Sequence, residues 1–316
     1  MNERAAPAGK ITQAVFVTRL EAAAREVERM LDQLLSTSPA KGESARPRRL
    51  IEAMRYATLG GGKRLRPLLV LESASLFGVP RVRALMTAAA VECVHCYSLV
   101  HDDLPSMDND TLRRGQLTVH RAYDEATAIL VGDSLLTFAF DLLARRETHP
   151  DPAVGIALVG GLATAAGVGG MTGGQMLDLA AEGRYGRVGR AEDDISLLHA
   201  MKTGALIRFA CRAGAILADA PKAAHDALGR YGHALGQAFQ IADDLLDLEG
   251  DAAVLGKSTG KDARQGKATL VATLGRDGAR KRLTALTTEA EAALARFGAR
   301  AGILRAAARF VVTRRT

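Results

Sequence analysis

The chain has 316 residues, 48% of them apolar and only 4% aromatic, with 42 basic and 35 acidic residues and a formal charge of +7. Ala and Leu dominate over β-branched residues, which favours helices over sheet. No Lys/Arg block is interleaved with aromatic residues, so nucleic-acid binding is disfavoured. Acidic small-molecule substrates explain the basic excess better.

The cysteines and the termini give no sign of export. Cys93, Cys96 and Cys211 do not form a disulfide framework. Cys93 and Cys96 lie three apart in a helical pattern, which predicts two core residues rather than a redox or zinc motif. The N-terminus lacks an apolar signal core, and glycines interrupt the uncharged stretch 152–177, so no membrane span is expected. These features predict a reduced, cytoplasmic protein.

Apolar residues recur at helical spacing along nearly the whole chain. The first ten residues are expected to be disordered, and the Pro/Ser/Gly-rich stretch 36–47 is expected to be a loop. The spacing predicts helices at about 16–34, 48–59, 64–77, 81–104, 121–145, 153–166, 172–182, 192–218, 222–248, 266–275, 278–296 and 299–313. No segment alternates convincingly as a strand, and no stretch has the composition of an interdomain linker. The sequence therefore predicts a single all-α domain over residues 1–316.

Two aspartate clusters, at 102–108 and 243–247, each follow a long apolar stretch. Carboxylates at this density repel one another unless a cation joins them, and Mg2+ usually brings a substrate phosphate with it. Asp243 and Asp247 are four residues apart and share one face of a helix. The clusters predict a Mg2+-bridged diphosphate site between two facing helices, and a solvated acidic helix end is the alternative for the second cluster.

The first cluster has an irregular spacing. Asp102 and Asp108 are six residues apart, about 240° around an ideal helix, so a regular helix cannot aim both at one metal ion. Pro105 lacks a backbone donor and disfavours helix at Leu104. We therefore expect the chain to bend there and to bring Asp108 back toward Asp102.

Basic residues with glycines follow the same regions. Arg113 and Arg114 precede Gly115, and the planar guanidinium group suits phosphate. The segment 61–67 is basic, led by glycines, and opens a predicted helix, which favours an anion, although it lacks the spacing of a nucleotide-binding P-loop. Lys202, Lys257 and Lys267 are further isolated cations.

Taken with their order and spacing, these motifs resemble the trans-isoprenyl diphosphate synthases of the polyprenyl synthetase family over nearly the whole chain. The matching segments are GGKRLRP at 61–67, HDDLPSMDNDTLRRG at 101–115, GMTGGQMLDL at 170–179, KTG at 202–204 and FQIADDLLD at 239–247. The resemblance implies an all-helical bundle around a deep central cavity, homodimeric, with both aspartate motifs at the cavity mouth.

The resemblance also implies roles for individual residues. Asp102, Asp108 and Asp243 resemble the principal ligands of three Mg2+ ions, for which Mn2+ could substitute, with Asp103 and Asp247 supporting them. The residues implied to hold an allylic diphosphate are Arg113, Lys202, Thr203, Gln240 and Lys257. Those implied to hold isopentenyl diphosphate are Lys63, Arg66, His95 and Arg114. The implied catalytic set is Asp102, Asp103, Asp108, Arg113, Lys202 and Asp243, and the roles of Lys261 and Lys267 stay open because the segment after Lys257 is longer than in the shortest family members.

The implied reaction joins isopentenyl diphosphate to dimethylallyl or geranyl diphosphate. Mg2+-assisted ionisation of the allylic diphosphate would be followed by attack of the isopentenyl double bond. Tyr97, five residues before the first aspartate, with Ser98 beside it, resembles the chain-length position of bacterial members that make the fifteen-carbon farnesyl diphosphate. At about 1.5 Å per residue Tyr97 would lie about 7–8 Å deeper than Asp102.

Several alternatives remain at this stage. A twenty-carbon, geranylgeranyl-producing enzyme is the nearest, and Tyr97 would then be ordinary core. A non-catalytic regulatory or terpenoid-binding homologue would be expected to lose one aspartate motif or the paired arginines. A terpene cyclase or head-to-head synthase would not need the 61–67 segment and His95. The preferred primer and any exchange of the N-terminal helix between subunits stay open.

Overall fold

The computed structural model describes residues 11–185, 192–250 and 270–313, and these form helices almost throughout. The first part has α1 (Gln13–Leu34), α2 (Arg48–Leu59), α3 (Leu65–Ser75), α4 (Arg81–Asp102), the strands β1 (Leu112–Arg113) and β2 (Gln116–Leu117), α5 (Val119–Ala122), α6 (Glu125–Ala144) and α7 (Pro152–Ala166). The rest has α8 (Met171–Ala181), α9 (Glu192–His199), a π-helix (Ala200–Gly204), α10 (Ala205–Leu217), α11 (Lys222–Gly250), α12 (Leu270–Ala293), a 3₁₀ helix (Ala295–Ala301) and α13 (Gly302–Thr313). The all-α class predicted from the sequence is confirmed.

The chain divides into two compact units. We call the one formed by Arg19–Leu162 and Ile216–Asp219 the N-terminal unit. The other, here the C-terminal unit, comprises the residues up to Thr18, Ala163–Ala215 and those from Ala220 onward. The single domain expected from the sequence stays a prediction.

In the N-terminal unit α4 is the central helix. Every residue from Met86 to Val94 is buried, because α4 packs against α3 and α6 and also contacts α2. A helix that is apolar on all sides is stable only when it is enclosed in this way. The enclosure holds the C-terminal end of α4, and the aspartates there, in a fixed place.

In the C-terminal unit α11 packs chiefly against α12 and also against α13 and the π-helix. Tyr231 of α11 is fully buried, and its hydroxyl donates to the carbonyl of Leu304 at 2.7 Å. Phe16 and Phe310 stack at 5.0 Å between ring centroids. These contacts fix α11, which carries the second aspartate cluster.

The structure departs from the predicted elements at several places. The predicted break near 276–277 is a kink at Gly275 within α12, and the predicted helix 299–313 begins within the 3₁₀ helix. The predicted helix 121–145 is interrupted at Tyr123, and Asp124 caps α6 by accepting from the backbone N–H of Thr127 at 2.7 Å. The predicted helix 192–218 contains the π-helix. Residues 112–117 form a short hairpin, which the sequence did not predict because its strands have only two residues each.

Three helical stretches are long and apolar enough to span a membrane by length and composition. They are Arg81–Asp102, with 72% of its apolar window buried in the protein, and Glu125–Ala144 and Pro152–Ala181, with 44% each. Enclosure within the N-terminal unit accounts for the apolar character of the first. The other two leave apolar side chains exposed, among them Ile129, Leu130 and Ile156.

Candidate active site

The first aspartate cluster begins where α4 ends. Asp102 is the last residue of α4, and the backbone N–H of Asp108 donates to the carbonyl of Asp102 at 2.8 Å. The N–H of Asn109 donates to the carbonyl of Leu104 at 3.1 Å, which closes the turn around Pro105. The chain therefore bends back as the spacing predicted, with Asp102 and Asp108 both half-buried.

Asp103 has a different environment from its neighbours. It is buried, and it accepts from Arg113 Nη2 at 2.5 Å and from Arg113 Nε at 3.0 Å. Burial raises the pKa of Asp103 above its usual range, an effect that the bonds from Arg113 only partly offset. Arg113 also lies 3.5 Å from Asp110. The predicted metal ligand Asp103 is thus paired with the predicted diphosphate ligand Arg113 in this structure.

Arg113 and Arg114 belong to the hairpin β1–β2. Arg113 pairs with Gln116 across the hairpin, and the two central residues Arg114 and Gly115 have φ values of 52° and 77°. Positive φ at both central residues is the requirement of a type I′ turn, which matches the twist of the flanking strands. The left-handed conformation is uncommon for arginine, and it is imposed here by the turn.

The glycine-rich loop before α3 receives the second arginine of the hairpin. Arg114 Nη1 donates to the carbonyl of Gly61. Gly62 has a φ of 125°, which strains any other residue, and a Cβ there would lie 2.6 Å from the guanidinium carbon of Arg114 and displace it. Lys63 follows and is exposed. The segment 61–67 and the hairpin are therefore in direct contact, as a shared anion site requires.

Arg66 and His95 also meet in this region, with Arg66 Nη1 3.4 Å from His95 Nε2. Burial, and then the positive charges of Arg66 and Arg114, hold the pKa of His95 well below its usual range. His95 is therefore neutral at pH 7 and can accept or donate a hydrogen bond without adding charge. The four residues predicted for isopentenyl diphosphate, Lys63, Arg66, His95 and Arg114, are thus brought into one region of the N-terminal unit.

Arg64, for which the sequence suggested no role, is the buried anchor of the same loop. Its guanidinium is fully buried and lies 2.5 Å from Glu92 of α4, which is also buried, and donates to the carbonyl of Thr58 at 2.5 Å. The backbone of Arg64 is left-handed, with φ at 49°, at the start of α3. Burial lowers the pKa of Arg64 and the charge of Glu92 raises it, and the net effect is a rise in the pKa. Only the packing of α3 on α4 reveals this pair.

Tyr97 lies on α4 and is 8% exposed. Its ring meets His101 edge-on with centroids 5.9 Å apart, and His101 Nε2 lies 3.1 Å from the carbonyl of Ile129 on α6. Ser98, beside it, is half-buried and donates to the carbonyl of His95 at 2.8 Å. Tyr97 is thus held against a fixed neighbour, as a residue limiting product length would have to be.

In the C-terminal unit Lys202 and Thr203 lie on the π-helix. Such short π-helices are frequent at functional sites. A Cβ at Gly174 of α8 would lie 2.2 Å from the backbone nitrogen of Lys202, and one at Gly236 of α11 would lie 2.8 Å from Cα of Gly204. The glycines of α8 and α11 therefore allow both helices to approach the π-helix backbone closely.

The predicted allylic-diphosphate residues of this unit are linked by hydrogen bonds. Thr203 Oγ1 donates to Gln240 Oε1 at 3.0 Å, and Gln240 Nε2 donates to Asp244 Oδ1 at 2.9 Å. Lys202 Nζ lies 2.5 Å from Asp178 Oδ2 of α8. Asp178 was missed by the sequence reasoning, although its motif GMTGGQMLDL was among the segments matched.

The second aspartate cluster lies near the C-terminal end of α11. Asp243 is half-buried and Asp244 is buried. The backbone of Asp247 belongs to α11, but its side chain lies outside the described part of the structure, as do Lys257, Lys261 and Lys267 altogether. For these four residues the assigned roles stay predictions.

The described residues contain no group of three or more His, Cys, Asp or Glu side chains that could hold a metal ion by themselves. Mg2+ retains several waters and is usually bound by one or two carboxylates together with substrate phosphates. The half-buried oxygen donors Asp102 and Asp108, bent toward one another and beside the basic hairpin, fit an ion bound in that way.

Residues 47–297 match the polyprenyl synthetase family, and the chain belongs to that family. Farnesyl diphosphate synthase of Escherichia coli is 43% identical over 284 residues, which cover 88% of this chain and 91% of that protein. Geranylgeranyl diphosphate synthase of Cyanophora paradoxa is 37% identical over 289 residues, covering 92% and 94%. The apo structure of an FPP/GFPP synthase from Zymomonas mobilis has 43% identity and a TM-score of 0.84, covering 96% of this chain and all of that one.

Proposed function

We propose that the protein is a short-chain trans-prenyltransferase that condenses isopentenyl diphosphate with dimethylallyl or geranyl diphosphate to give farnesyl diphosphate. The observation that carries this proposal is the position of the arginine hairpin. Arg113 pairs with Asp103 of the first aspartate cluster, while the adjacent Arg114 contacts Gly61 of the glycine-rich loop. One tight turn thus links a carboxylate cluster suited to a metal-bound diphosphate with a basic loop suited to a second diphosphate.

The chain's own residues would act by binding and orienting. In the C-terminal unit Lys202, Thr203 and Gln240 would bind the allylic diphosphate, and Asp243 would bind Mg2+. In the N-terminal unit Arg113 would bind diphosphate, and Asp102 and Asp108 would bind Mg2+. When bound, Mg2+ supplies charge neutralisation of the departing diphosphate. Arginine and lysine donors to the same group stabilise the negative charge that develops as the allylic carbon–oxygen bond breaks.

The second substrate would be held for attack on the allylic carbon. Arg66, His95 and Arg114, with the exposed Lys63, would bind its diphosphate, and the isopentenyl double bond would form the new carbon–carbon bond. The proton lost from the isopentenyl unit would go to the released diphosphate, so no protein nucleophile is required. Exclusion of water would protect the allylic cation from hydrolysis.

For product length we propose fifteen carbons, with Tyr97 as the residue that stops further elongation. Its burial, and its edge contact with His101, give a rigid surface five residues before Asp102. Relatives named farnesyl diphosphate synthase, at 42–44% identity, support the assignment. The relative named geranylgeranyl diphosphate synthase, at 37%, keeps a twenty-carbon product as the second candidate.

We further propose a cytoplasmic homodimer without membrane spans. The adjacent apolar side chains Ile129 and Leu130 are 46% and 55% exposed on α6. An exposed apolar surface of this kind marks an interaction site, and a second copy of the chain would cover it. Size determination by light scattering, with Leu130→Lys expected to yield monomers, tests this point.

The reaction itself is tested with purified protein, Mg2+, labelled isopentenyl diphosphate and each allylic diphosphate in turn, followed by dephosphorylation and chromatography of the alcohols. We expect farnesol as the dominant product and none after chelation of the metal. Asp102→Ala and Asp243→Ala should lower turnover by several powers of ten, while Asp277→Ala, at an exposed aspartate, should leave it unchanged. The absence of any product would instead favour a regulatory or terpenoid-binding homologue.

A further inference from the structure

The arginine hairpin has little apolar packing of its own. Leu112 and Leu117, which face each other across its two strands, are 60% and 50% exposed. A cavity of about 40 Å³ lies between the hairpin, α2 and α4, lined in part by Leu99 and Val100. An isolated two-stranded hairpin is marginally stable at best, so polar contacts must hold this one in position.

Two of those polar contacts are made by the arginines themselves, to Asp103 and to the carbonyl of Gly61. The proposed function assigns both arginines to the binding of the substrate diphosphates. When Arg113 and Arg114 turn to bind diphosphate, the bonds to Asp103 and Gly61 are the ones that must weaken. The hairpin therefore needs an anchor that does not involve either arginine.

Tyr56 on α2 supplies such an anchor. Its hydroxyl donates to the carbonyl of Leu117, the last residue of β2, at 2.7 Å. Its ring meets Tyr123 edge-on with centroids 5.8 Å apart, and the guanidinium of Arg49 lies over Tyr123 at 5.3 Å. Arg49 also pairs with Asp124, the cap of α6, at 2.6 Å. The tyrosine hydroxyl thus ties the hairpin to a cluster fixed on both α2 and α6.

The base of the hairpin, next to Leu117, is also closed by bonds within the loop. Thr118 Oγ1 donates to the carbonyl of Asp110 at 2.8 Å, and the N–H of Thr118 donates to the carbonyl of Thr111 at 3.1 Å. These bonds preserve the shape of the loop but make no contact with α2. The hairpin is positioned relative to α2 by the hydrogen bond between Tyr56 and Leu117, together with the packing of the following α5 on α2 and α6.

We propose that Tyr56 is a positioning residue that holds the hairpin, and with it Arg113 and Arg114, in the orientation needed to bind both diphosphates. The inference rests on the proposed function, because the arginines act on substrate only in that reaction. Without the hydroxyl, the hairpin would keep its fold but sample several orientations, and each substrate would have to fix it on binding. The substrates would therefore bind more weakly, and the rate of the chemical step on bound substrates would change little.

The test is Tyr56→Phe, which removes the hydroxyl and retains the ring packed against Tyr123. The net worth of one such hydrogen bond corresponds to about two- to tenfold in an equilibrium constant. We therefore expect KM for both diphosphates to rise by about two- to tenfold, with kcat changed by less than about twofold. An unchanged KM for both substrates would overturn the proposal.

Tyr231→Phe is the matched control. The hydroxyl of Tyr231 also donates to a backbone carbonyl at 2.7 Å, but in the core of the C-terminal unit. Its loss should lower the melting temperature, because a buried hydrogen bond is lost, and should leave both KM values unchanged. If Tyr231→Phe raised KM as much as Tyr56→Phe does, the effect would be general destabilisation, and the positioning role would be rejected.

A second measurement does not depend on turnover. A spin label on Leu112→Cys reports hairpin motion, since the native cysteines Cys93, Cys96 and Cys211 are buried and burial raises the pKa of each thiol. We expect a more mobile spectrum when Tyr56→Phe is added. An unchanged spectrum would refute the anchor even if the enzyme were active. A mobile hairpin in a protein that makes no product would refute the proposed function alone.

Discussion

Replacing Arg64 should destabilise the protein strongly, and replacing its partner at the same time should restore most of the loss. The guanidinium of Arg64 and the carboxylate of Glu92 are 0% and 1% exposed and lie 2.5 Å apart. In Arg64→Met the carboxylate keeps only the weak thiol donor of Cys96, at 3.8 Å. An uncompensated charge would then remain in the core of the N-terminal unit.

The size of the effect follows from the cost of that charge. Breaking a buried ion pair by removing one partner costs about 3–5 kcal/mol. The lost bond to the carbonyl of Thr58 adds about 1 kcal/mol. We therefore expect Arg64→Met to lower the free energy of unfolding by about 4–6 kcal/mol.

The double variant Arg64→Met with Glu92→Leu separates the contribution of the charges from that of the packing to the free energy of unfolding. Well-packed apolar residues in place of a buried ion pair are often neutral or stabilising, so the double variant should lose only about 1 kcal/mol, mainly from the Thr58 carbonyl. Glu92→Leu alone should cost less than Arg64→Met, because Glu28 lies 3.4 Å from the guanidinium and is 36% exposed.

Urea unfolding followed by circular dichroism gives the three free energies. Urea is preferred to guanidinium, which would screen the charges under test. The two single variants should together lose several kcal/mol more than the double variant. Additive losses, or a loss below about 1 kcal/mol for Arg64→Met, would show that the pair is not the buried charge anchor described here.

Three further outcomes are expected. Because the pKa of His95 is lowered in the folded protein, His95 takes up a proton first in the unfolded chain as pH falls below 6.5, and the stability of the fold should drop there. His95→Asn should make the urea midpoints at about pH 5.5 and about pH 7.5 differ less than they do in the parent protein. Tyr97→Ala should yield alcohols longer than fifteen carbons by chromatography, and an unchanged farnesol product would dismiss Tyr97 as the limit. Asp178→Asn removes the negative charge that holds Lys202 in place and should raise KM for the allylic diphosphate about threefold or more, whereas Asp226→Asn at the exposed pair with Lys222 should not change it.

Helix positions and the bend at Pro105 could be predicted because they depend on near neighbours in sequence. The spacing of apolar residues recurs every three or four positions along α1, α4 and α11, and proline acts on the residue directly before it. The first aspartate cluster bends as predicted for the same reason. The break between α5 and α6 was missed, although the cap from Asp124 to Thr127 is itself a local signal.

The ion-pair partners of the charged residues could not be predicted from the sequence in the same way. The sequence indicated which residues could bind diphosphate or metal, but gave no sign that Asp103 binds Arg113, that Lys202 binds Asp178, or that Arg64 is a buried anchor. The hairpin and the π-helix were missed as well, since each is shorter than the window over which periodicity can be recognised.

The sequence by itself thus determined the helical class, the family and the residue types at the candidate site, because these are encoded in local spacing and in motifs a few residues long. Only the tertiary structure decided which opposite charges pair, which arginine is buried and what orients the hairpin. Those choices depend on which helices pack together, and an ion pair between residues 28 positions apart, such as Arg64 and Glu92, forms only after α3 has packed on α4.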